Sequence, residues 1–265
     1  MQQIFNYEHA DPLVSIVVIT YNSSKFVKET LESAKNQTYK NIELIISDDC
    51  SIDNTVNICE AWIEKNKERF VRTTVISSKK NTGIPANCNR GWIASSGEWI
   101  KLIAGDDALL PNCIELNLNF TSKHSEILHS NCEIYHNNLS IDNFIDVTDK
   151  KDHPFCNVNT ANEQFLLLIK RKAGITSPTV FFHREILENV FGFDEDFHLI
   201  EDVPMWLKLS KAGYIFRFVD SITVKYRIHS GSVQKNSQNH MTKAYAEELL
   251  KINKKYLRKE VSRFI

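Results

Sequence analysis

Trp99-Ile100-Lys101-Leu102-Ile103-Ala104-Gly105-Asp106-Asp107 and, earlier in the chain, Ile42-Glu43-Leu44-Ile45-Ile46-Ser47-Asp48-Asp49 share one design: a short apolar run ending on two aspartates. Runs of this length, rich in β-branched residues, suit strands buried on both faces. In an open α/β sheet, ligands bind outside the carboxyl ends of the strands. Carboxylates are costly to bury there unless paired or metal-bound. A cation bridging an anionic ligand would explain two such pairs, one reading the ligand and the other holding the metal.

Working outward, Val14–Thr20 reads as another buried strand, followed by a helix from about Lys25 to Asn36 with Phe26, Val27, Leu31 and Ala34 along one side. A second helix is expected from Asn54 to Lys67 and a further strand from Val71 to Ile76. Asn81-Thr82-Gly83 then turns into a helix with Pro85 in its first turn, where a missing N–H costs nothing. Strands separated by helices predict βαβ units and a mainly parallel sheet, α/β in class. Both aspartate pairs then face one crevice.

The second half is less regular. Residues 124–160 are polar and read as loops around His136-Asn137-Asn138 and Asp149-Lys150-Lys151-Asp152. A helix near Asn162–Lys172, an extended run Thr179–Phe182, and a helix opening at Glu201-Asp202 and ended by Gly213 follow. Separate strands are expected at Ile215–Val219 and Ile222–Tyr226.

At 265 residues, 42% hydrophobic and 25% charged, the composition is that of a globular protein. A net charge of -1 offers no field for nucleic acid, and no nucleic-acid partner is expected. Six scattered cysteines without a C-x-x-C read as reduced thiols. The start, Met1-Gln2-Gln3-Ile4-Phe5-Asn6, shows no signal-peptide pattern, and no stretch nears 18 consecutive apolar residues. The expected compartment is the cytoplasm.

Six motifs in order resemble the family 2 glycosyltransferases, inverting enzymes of GT-A fold that use nucleotide-sugars. They are Val14 through Asn22, Asp48-Asp49-Cys50-Ser51, Asn81-Thr82-Gly83 through Asn87-Cys88-Asn89-Arg90-Gly91, Gly97 through Asp107, Glu201-Asp202 with Trp206, and Tyr226-Arg227-Ile228-His229. Three positions depart from the family pattern: Ala104 replaces the first acid of D-x-D-D, Cys50 the glycine of D-D-G-S, and Cys88 an arginine beside which Arg90 lies.

The resemblance implies a Rossmann-like sheet with helices on both faces and a smaller acceptor-side subregion. It implies one catalytic domain over residues 1–235, with a donor half at about 12–110 and an acceptor half at 111–235. Thr20, Tyr21, Asn22, Asp48, Asp49, Asn81, Gly83, Asn89, Arg90, Asp106 and Asp107 would then bind the donor, Tyr21 stacking on the base and Asp49 accepting from its imide. Asp106, Asp107 and His229 would hold Mn2+ or Mg2+. Asp202 would be the general base, with Glu201 and Trp206 toward the acceptor. The donor is expected to be a UDP-sugar and the acceptor a glycan or lipid-linked hydroxyl, in bacterial surface polysaccharide assembly.

These residues also have plain structural readings. Asp48 and Asp49 suit the cap of the next helix, Glu201 and Asp202 a helix dipole, and Trp206 the core. Lys101 and Arg184 could approach phosphate, and Asp194, Glu195 and Asp196 read as a solvated turn. His124, His129, His183 and His198 show no metal-like spacing. The tail from Lys243 to Ile265 has seven basic and three acidic residues, with Tyr245, Leu249, Ile252 and Tyr256 at helical spacing. Such a helix can lie on an anionic membrane at its inner face or pack on its own domain. The alternatives to catalysis by glycosyl transfer are a non-catalytic nucleotide-sugar-binding or scaffold protein of the same fold and a nucleotidyltransferase. The second lacks a Gly-rich phosphate loop after the first strand, where Tyr21-Asn22-Ser23-Ser24 stands instead.

Overall fold

A computed structural model describes residues 11–121, 126–148, 153–170, 172, 174–233 and 241–257. The Met1–Asn6 start, His124, the Asp149–Asp152 turn and the tail beyond residue 257 lie outside the described residues.

The chain runs β1 (Val14–Thr20), α1 (Val27–Lys35), β2 (Ile42–Asp48), α2 (Thr55–Asn66), β3 (Thr73–Ser77), α3 (Ile84–Ala94) and β4 (Trp99–Ala104). It continues through β5 (Ala108–Leu109), α4 (Cys113–Phe120), β6 (Glu126–His136), β7 (Phe144–Val147), α5 (Ala161–Ile169), β8 (Phe181–His183) and α6 (Arg184–Asn189). It ends with α7 (Asp202–Lys211), β9 (Ile215–Ile228) and α8 (Lys243–Ile252). Among the described residues these strands make one sheet of order β3-β2-β1-β4-β8-β6-β9-β5, with β7 paired to β6. The first four strands are parallel, Val14 lying opposite both Ile42 and Trp99.

Period-two alternation explains why helices cover both faces. Ile16 and Val18 pack with Leu31, Cys59 and Trp62 on one face. Val17 packs with Cys88, Trp92, Phe182 and Trp206 on the other.

A carboxylate fixes each end of β2. At one end Glu43 is fully buried and accepts from Ser15 Oγ at 2.6 Å, Gly97 N–H at 2.9 Å and Arg72 Nε at 2.9 Å. Burial pushes its carboxyl up, but the bonds from Ser15, Ser96 and Gly97 outweigh it and hold the group below its usual range. At the other end Asp48 accepts from Thr20 Oγ1 (2.8 Å), Ser51 N–H (2.8 Å), Ser51 Oγ (2.5 Å) and Ser77 Oγ (3.2 Å).

Two expectations need correction, and of the two readings left open for the last helix the structure shows packing on its own domain. The polar stretch expected to be loop holds the 11-residue β6. Its polar residues are buried by pairing, Ser130 Oγ lying 2.6 Å from Thr223 Oγ1 and His129 sitting among Phe155, Phe216 and Phe218. Hydropathy under-reads a strand in which His129, Ser130 and Asn131 are buried between apolar positions. The two strands expected at 215–219 and 222–226 are one, β9, because Ser130 pairs Val219 while Asn131 pairs Ile222, leaving Asp220 and Ser221 as a bulge. The apolar stripe of α8 packs on its own domain: Tyr245 and Ile252 are buried with Phe165, Phe197, Ile200 and Leu207. No described helix is long and apolar enough to cross a membrane.

Replacing Asp48 by Asn leaves at least one of its four donors unmatched in a dry site. The expected loss in urea-denaturation free energy is about 2–4 kcal/mol. A loss below about 0.5 kcal/mol would show that the strand ends do not depend on this carboxylate.

Candidate active site

The carboxyl ends of β1 and β4 meet the ends of β9 and the start of α7 around a cavity of about 440 Å³. Asp106 and Asp107 line one part of it, and Glu201 and Asp202 another. The acid pairs that share this space are therefore Asp106–Asp107 and Glu201–Asp202, not Asp48–Asp49 with Asp106–Asp107.

Asp48 and Asp49 are 0% and 2% exposed. Asp48 is saturated by the bonds that fix β2, so the structure leaves it no free oxygen for a donor, contrary to expectation. Thr20, 2% exposed, is likewise spent on Asp48. Asp49 accepts from the N–H groups of Thr82 and Gly83, from Thr82 Oγ1 at 2.6 Å and from Arg90 Nη2 at 2.9 Å. It thereby places a negative charge at the N-terminus of α3, where the helix dipole favours one. The glycine is required there: Gly83 has φ +93°, and a Cβ would come within 2.6 Å of His198. Cys50, at the family's glycine position, also takes a left-handed φ of +67°, a conformation costly for a residue with a side chain.

Tyr21 is 49% exposed just past β1. Asn22 locks the adjacent turn, its N–H donating to Ser51 Oγ and its Oδ1 accepting from Ile52 N–H. Asn81, Asn89 and Arg90 line a separate open pocket of about 520 Å³ together with Lys80, Glu195 and His198. Asn89 is structural there: its Nδ2 donates to Phe193 O and Glu195, and its Oδ1 accepts from Phe193 N–H and Trp92 Nε1. The amine of the fully buried Lys101 donates to Val180 O, and Arg184 is tied to Gly97 O and Ser95, so neither lines the cavity.

Arg227 fixes the Gly105-Asp106-Asp107 turn. Its N–H donates to Asp107 Oδ1 at 2.8 Å, its Nε to Asp106 O at 2.6 Å, and its Nη2 to Glu29. Asp107 is 2% exposed; burial, with Asp106 beside it, pushes its carboxyl well above the usual range against the pull of Arg227. Asp106 faces outward, its Oδ2 3.0 Å from His229 Nε2. His229 Nδ1 accepts from Gly231 N–H, so Nε2 carries the proton in this arrangement.

Asp106 and His229 fit a divalent cation. One oxygen and one nitrogen donor converge at hydrogen-bond distance with side chains 28% and 15% exposed. Among the described residues no group of three such donors converges, so a cation here would draw most of its ligands from phosphate and water. Substrate-bridging Mg2+ and Mn2+ are commonly held in this way. Asp107 Oδ1 is already engaged by Arg227, leaving that residue at most its second oxygen.

Glu201 Oε1 accepts from Ser177 Oγ at 2.8 Å. Asp202, the first residue of α7, has Oδ1 at 2.7 Å from its neighbour's N–H, that of Val203. Burial, and then the Asp202 charge, push Glu201 up to about 7, and burial pushes Asp202 up to about 6. Trp206 is 3% exposed, stacked near Phe182 and edge-on to Phe216, and is mainly core although it borders the cavity.

The loop before this pair is held by α8. Glu248, 5% exposed, accepts from the N–H groups of His198 at 2.7 Å and Leu199 at 2.6 Å. Asp194, expected in solvent, bonds Lys255 Nζ and Tyr256 OH. Sequence reading missed Ser177 and Glu248, which carry no local signal because their partners lie 24 and about 50 residues away. Tyr226 and Arg227 stand in the last motif of the sequence, which by itself gives neither a task.

A family model described as glycosyl transferase family 2 matches residues 15–191. An uncharacterized glycosyltransferase of Rickettsia felis is 28% identical over 237 residues, covering 86% of this chain and 36% of that protein. The chain thus spans about a third of that relative's length. Among solved structures, S. aureus TarS in complex with UDP-GlcNAc aligns with a TM-score of 0.66 at 20% identity, over 89% of this chain and 64% of that one. The mannosyltransferase PcManGT from Pyrobaculum calidifontis, in complex with GDP-Man and Mn2+, aligns with a TM-score of 0.60 at 17% identity, over 81% and 56%. These likenesses show the GT-A fold.

A carboxylate raised in the folded state favours folding while protonated and opposes it once ionised. That opposition is absent below the ordinary value near 4.5 and complete above the folded value of about 7 for Glu201. Glu201→Gln should therefore melt above the wild type at pH 8 and converge with it by about pH 4.5, read by differential scanning calorimetry across pH. A Tm difference independent of pH would refute the raised carboxyl.

Proposed function

The chain belongs to glycosyl transferase family 2, and we propose on that basis that it is an inverting, metal-dependent glycosyltransferase. It moves a sugar from a nucleoside diphosphate donor to a hydroxyl of a glycan or lipid-linked acceptor. The observation that carries this reading is the single cavity lined by the outward Asp106, with His229 beside it, and by the high-pKa Glu201–Asp202 pair.

Asp106 and His229 would hold Mn2+ or Mg2+, which supplies positive charge to the departing diphosphate. Nε2 is the ring nitrogen turned to Asp106, and it would ligate a cation once its proton moves to Nδ1, which then gives up the bond from Gly231 N–H. Asp202 takes the proton of the acceptor hydroxyl as its oxygen bonds the anomeric carbon. The bond from that carbon to the diphosphate oxygen breaks on the opposite face, and configuration inverts. A base near pKa 6 is ionised at neutral pH yet basic enough to accept a proton. Glu201, anchored by Ser177, keeps the pair in register and faces the acceptor.

Toward the nucleotide, exposed Tyr21 offers a stacking face. Asp49, already shared among Thr82, Gly83 and Arg90, would read a base imide only by exchanging one of those bonds. Residues 12–110 form the donor half and 111–235 the acceptor half. A UDP-sugar is the donor this reading favours, in keeping with the UDP-GlcNAc complex of a protein of the same fold. The acceptor would be a surface glycan growing on a lipid carrier at the cytoplasmic face.

Calorimetry with UDP, GDP and dTDP, with and without Mn2+, tests the donor end. One nucleotide should bind only with Mn2+, and Asp106→Ala should abolish that binding. Absence of binding by all three would move the non-catalytic scaffold ahead. At the base end, Asp202→Asn should lower kcat by about 10²–10⁴ while nucleotide affinity holds. A full-rate Asp202→Asn enzyme would remove Asp202 from the chemistry.

A further inference from the structure

Tyr226 lies on β9 immediately before Arg227, whose N–H is fixed to Asp107, and it lines the cavity with Ile134, its partner on β6. Its phenol lies within electrostatic reach of both acid pairs. It is half-buried, yet among the described residues its hydroxyl makes no hydrogen bond. A phenol drawn into a protein interior usually finds a partner for its O–H. The four carboxyl groups that act on it are those of Asp107, Asp106, Asp202 and Glu201, and a carboxylate accepts and does not donate when ionised.

This inference rests on the glycosyltransferase reading above. Inversion requires the anomeric carbon to lie between the leaving diphosphate and the incoming hydroxyl. The first belongs at the Asp106–His229 end and the second at Asp202. A side chain in reach of both ends stands beside the sugar in transit. We propose that the Tyr226 hydroxyl donates a hydrogen bond to an oxygen of the transferred sugar, making Tyr226 a sugar-gripping residue and not a nucleotide contact.

Burial, and then the charges of Asp107, Asp106, Asp202 and Glu201, push the phenol well above its usual range, so it keeps its proton at working pH. It is thus a neutral donor in an acid-lined cavity. The oxygens it can serve are a sugar hydroxyl, the ring oxygen or an acetamido carbonyl. On the transferred sugar these are lost when the donor is cut back to the nucleoside diphosphate, which keeps only its ribose oxygens.

The test compares Tyr226→Phe with wild type, because Phe keeps the ring packed and removes only the hydroxyl. With Mn2+ present, calorimetry measures UDP, UDP-glucose, UDP-galactose and UDP-GlcNAc, with GDP and GDP-mannose alongside. For the sugar nucleotide that wild type binds best, the variant should bind about 3- to 10-fold more weakly, while affinity for the matching bare nucleotide stays unchanged. Equal affinities in both proteins would overturn the proposal. So would a parallel loss for the bare nucleotide, which would make the hydroxyl a structural or diphosphate group. A wild type that gains nothing from any sugar would also overturn it while leaving the donor site standing. A wild type that binds no nucleotide at all would sink the glycosyltransferase reading itself, and the sugar contact with it.

Discussion

The cavity depends on one buried cation. Arg227, 2% exposed, joins the turn after β4 to β9 by donating to Asp107, Asp106 O, Asn137 O and Glu29. Its guanidinium also lies over Phe26 of the segment leading into α1, 4.3 Å from the ring centroid. Without it, two adjacent carboxylates would stand at a strand end with little to offset their repulsion, and desolvation would favour neutralising them. With it, Asp107 is held inward and Asp106 is turned out to meet His229. Part of the first half of the chain thus takes its geometry from the last strand of the sheet.

The other carboxylates divide by how fully their oxygens are used. Glu43 and Asp48 are saturated and act as fasteners at the two ends of β2. Asp49 is nearly so, and joins β2 to the start of α3. Glu201 and Asp202 are under-bonded and half-buried, and desolvation raises both in pKa. Groups held in that unfavourable state cost stability, which is the usual mark of a site whose chemistry needs them so. The same contrast separates the saturated Asn89 from Tyr226, whose hydroxyl lacks a partner among the described residues.

α8 ties these parts together from outside the sheet. Glu248 holds the backbone of His198 and Leu199, His198 O accepts from Ile84 N–H, and Gly83 beside it donates to Asp49. A continuous run of hydrogen bonds and close packing therefore links the C-terminal helix to the carboxylate at the end of β2. The apolar stripe on α8, which alone would suit a membrane surface, is consumed in this packing by Tyr245 and Ile252.

The sequence by itself determined the α/β class, the parallel order of strand and helix in the first half, and the family. Those features rest on local signals: buried β-branched runs, helix-length apolar spacing, a Pro in the first turn of α3, and six motifs in order. Only the tertiary structure decided which acids share a cavity. Asp48 and Asp106 look alike in sequence, each opening an aspartate pair after a buried strand. Ser51, Thr20 and Ser77 saturate one, while Arg227 and His229 turn the other outward. The polar strand β6 was likewise hidden, because Ser130 is satisfied by Thr223 far along the chain. A residue's hydrogen-bond partners lie far off in sequence, so its freedom to act on a ligand is fixed by packing and not by its own neighbours.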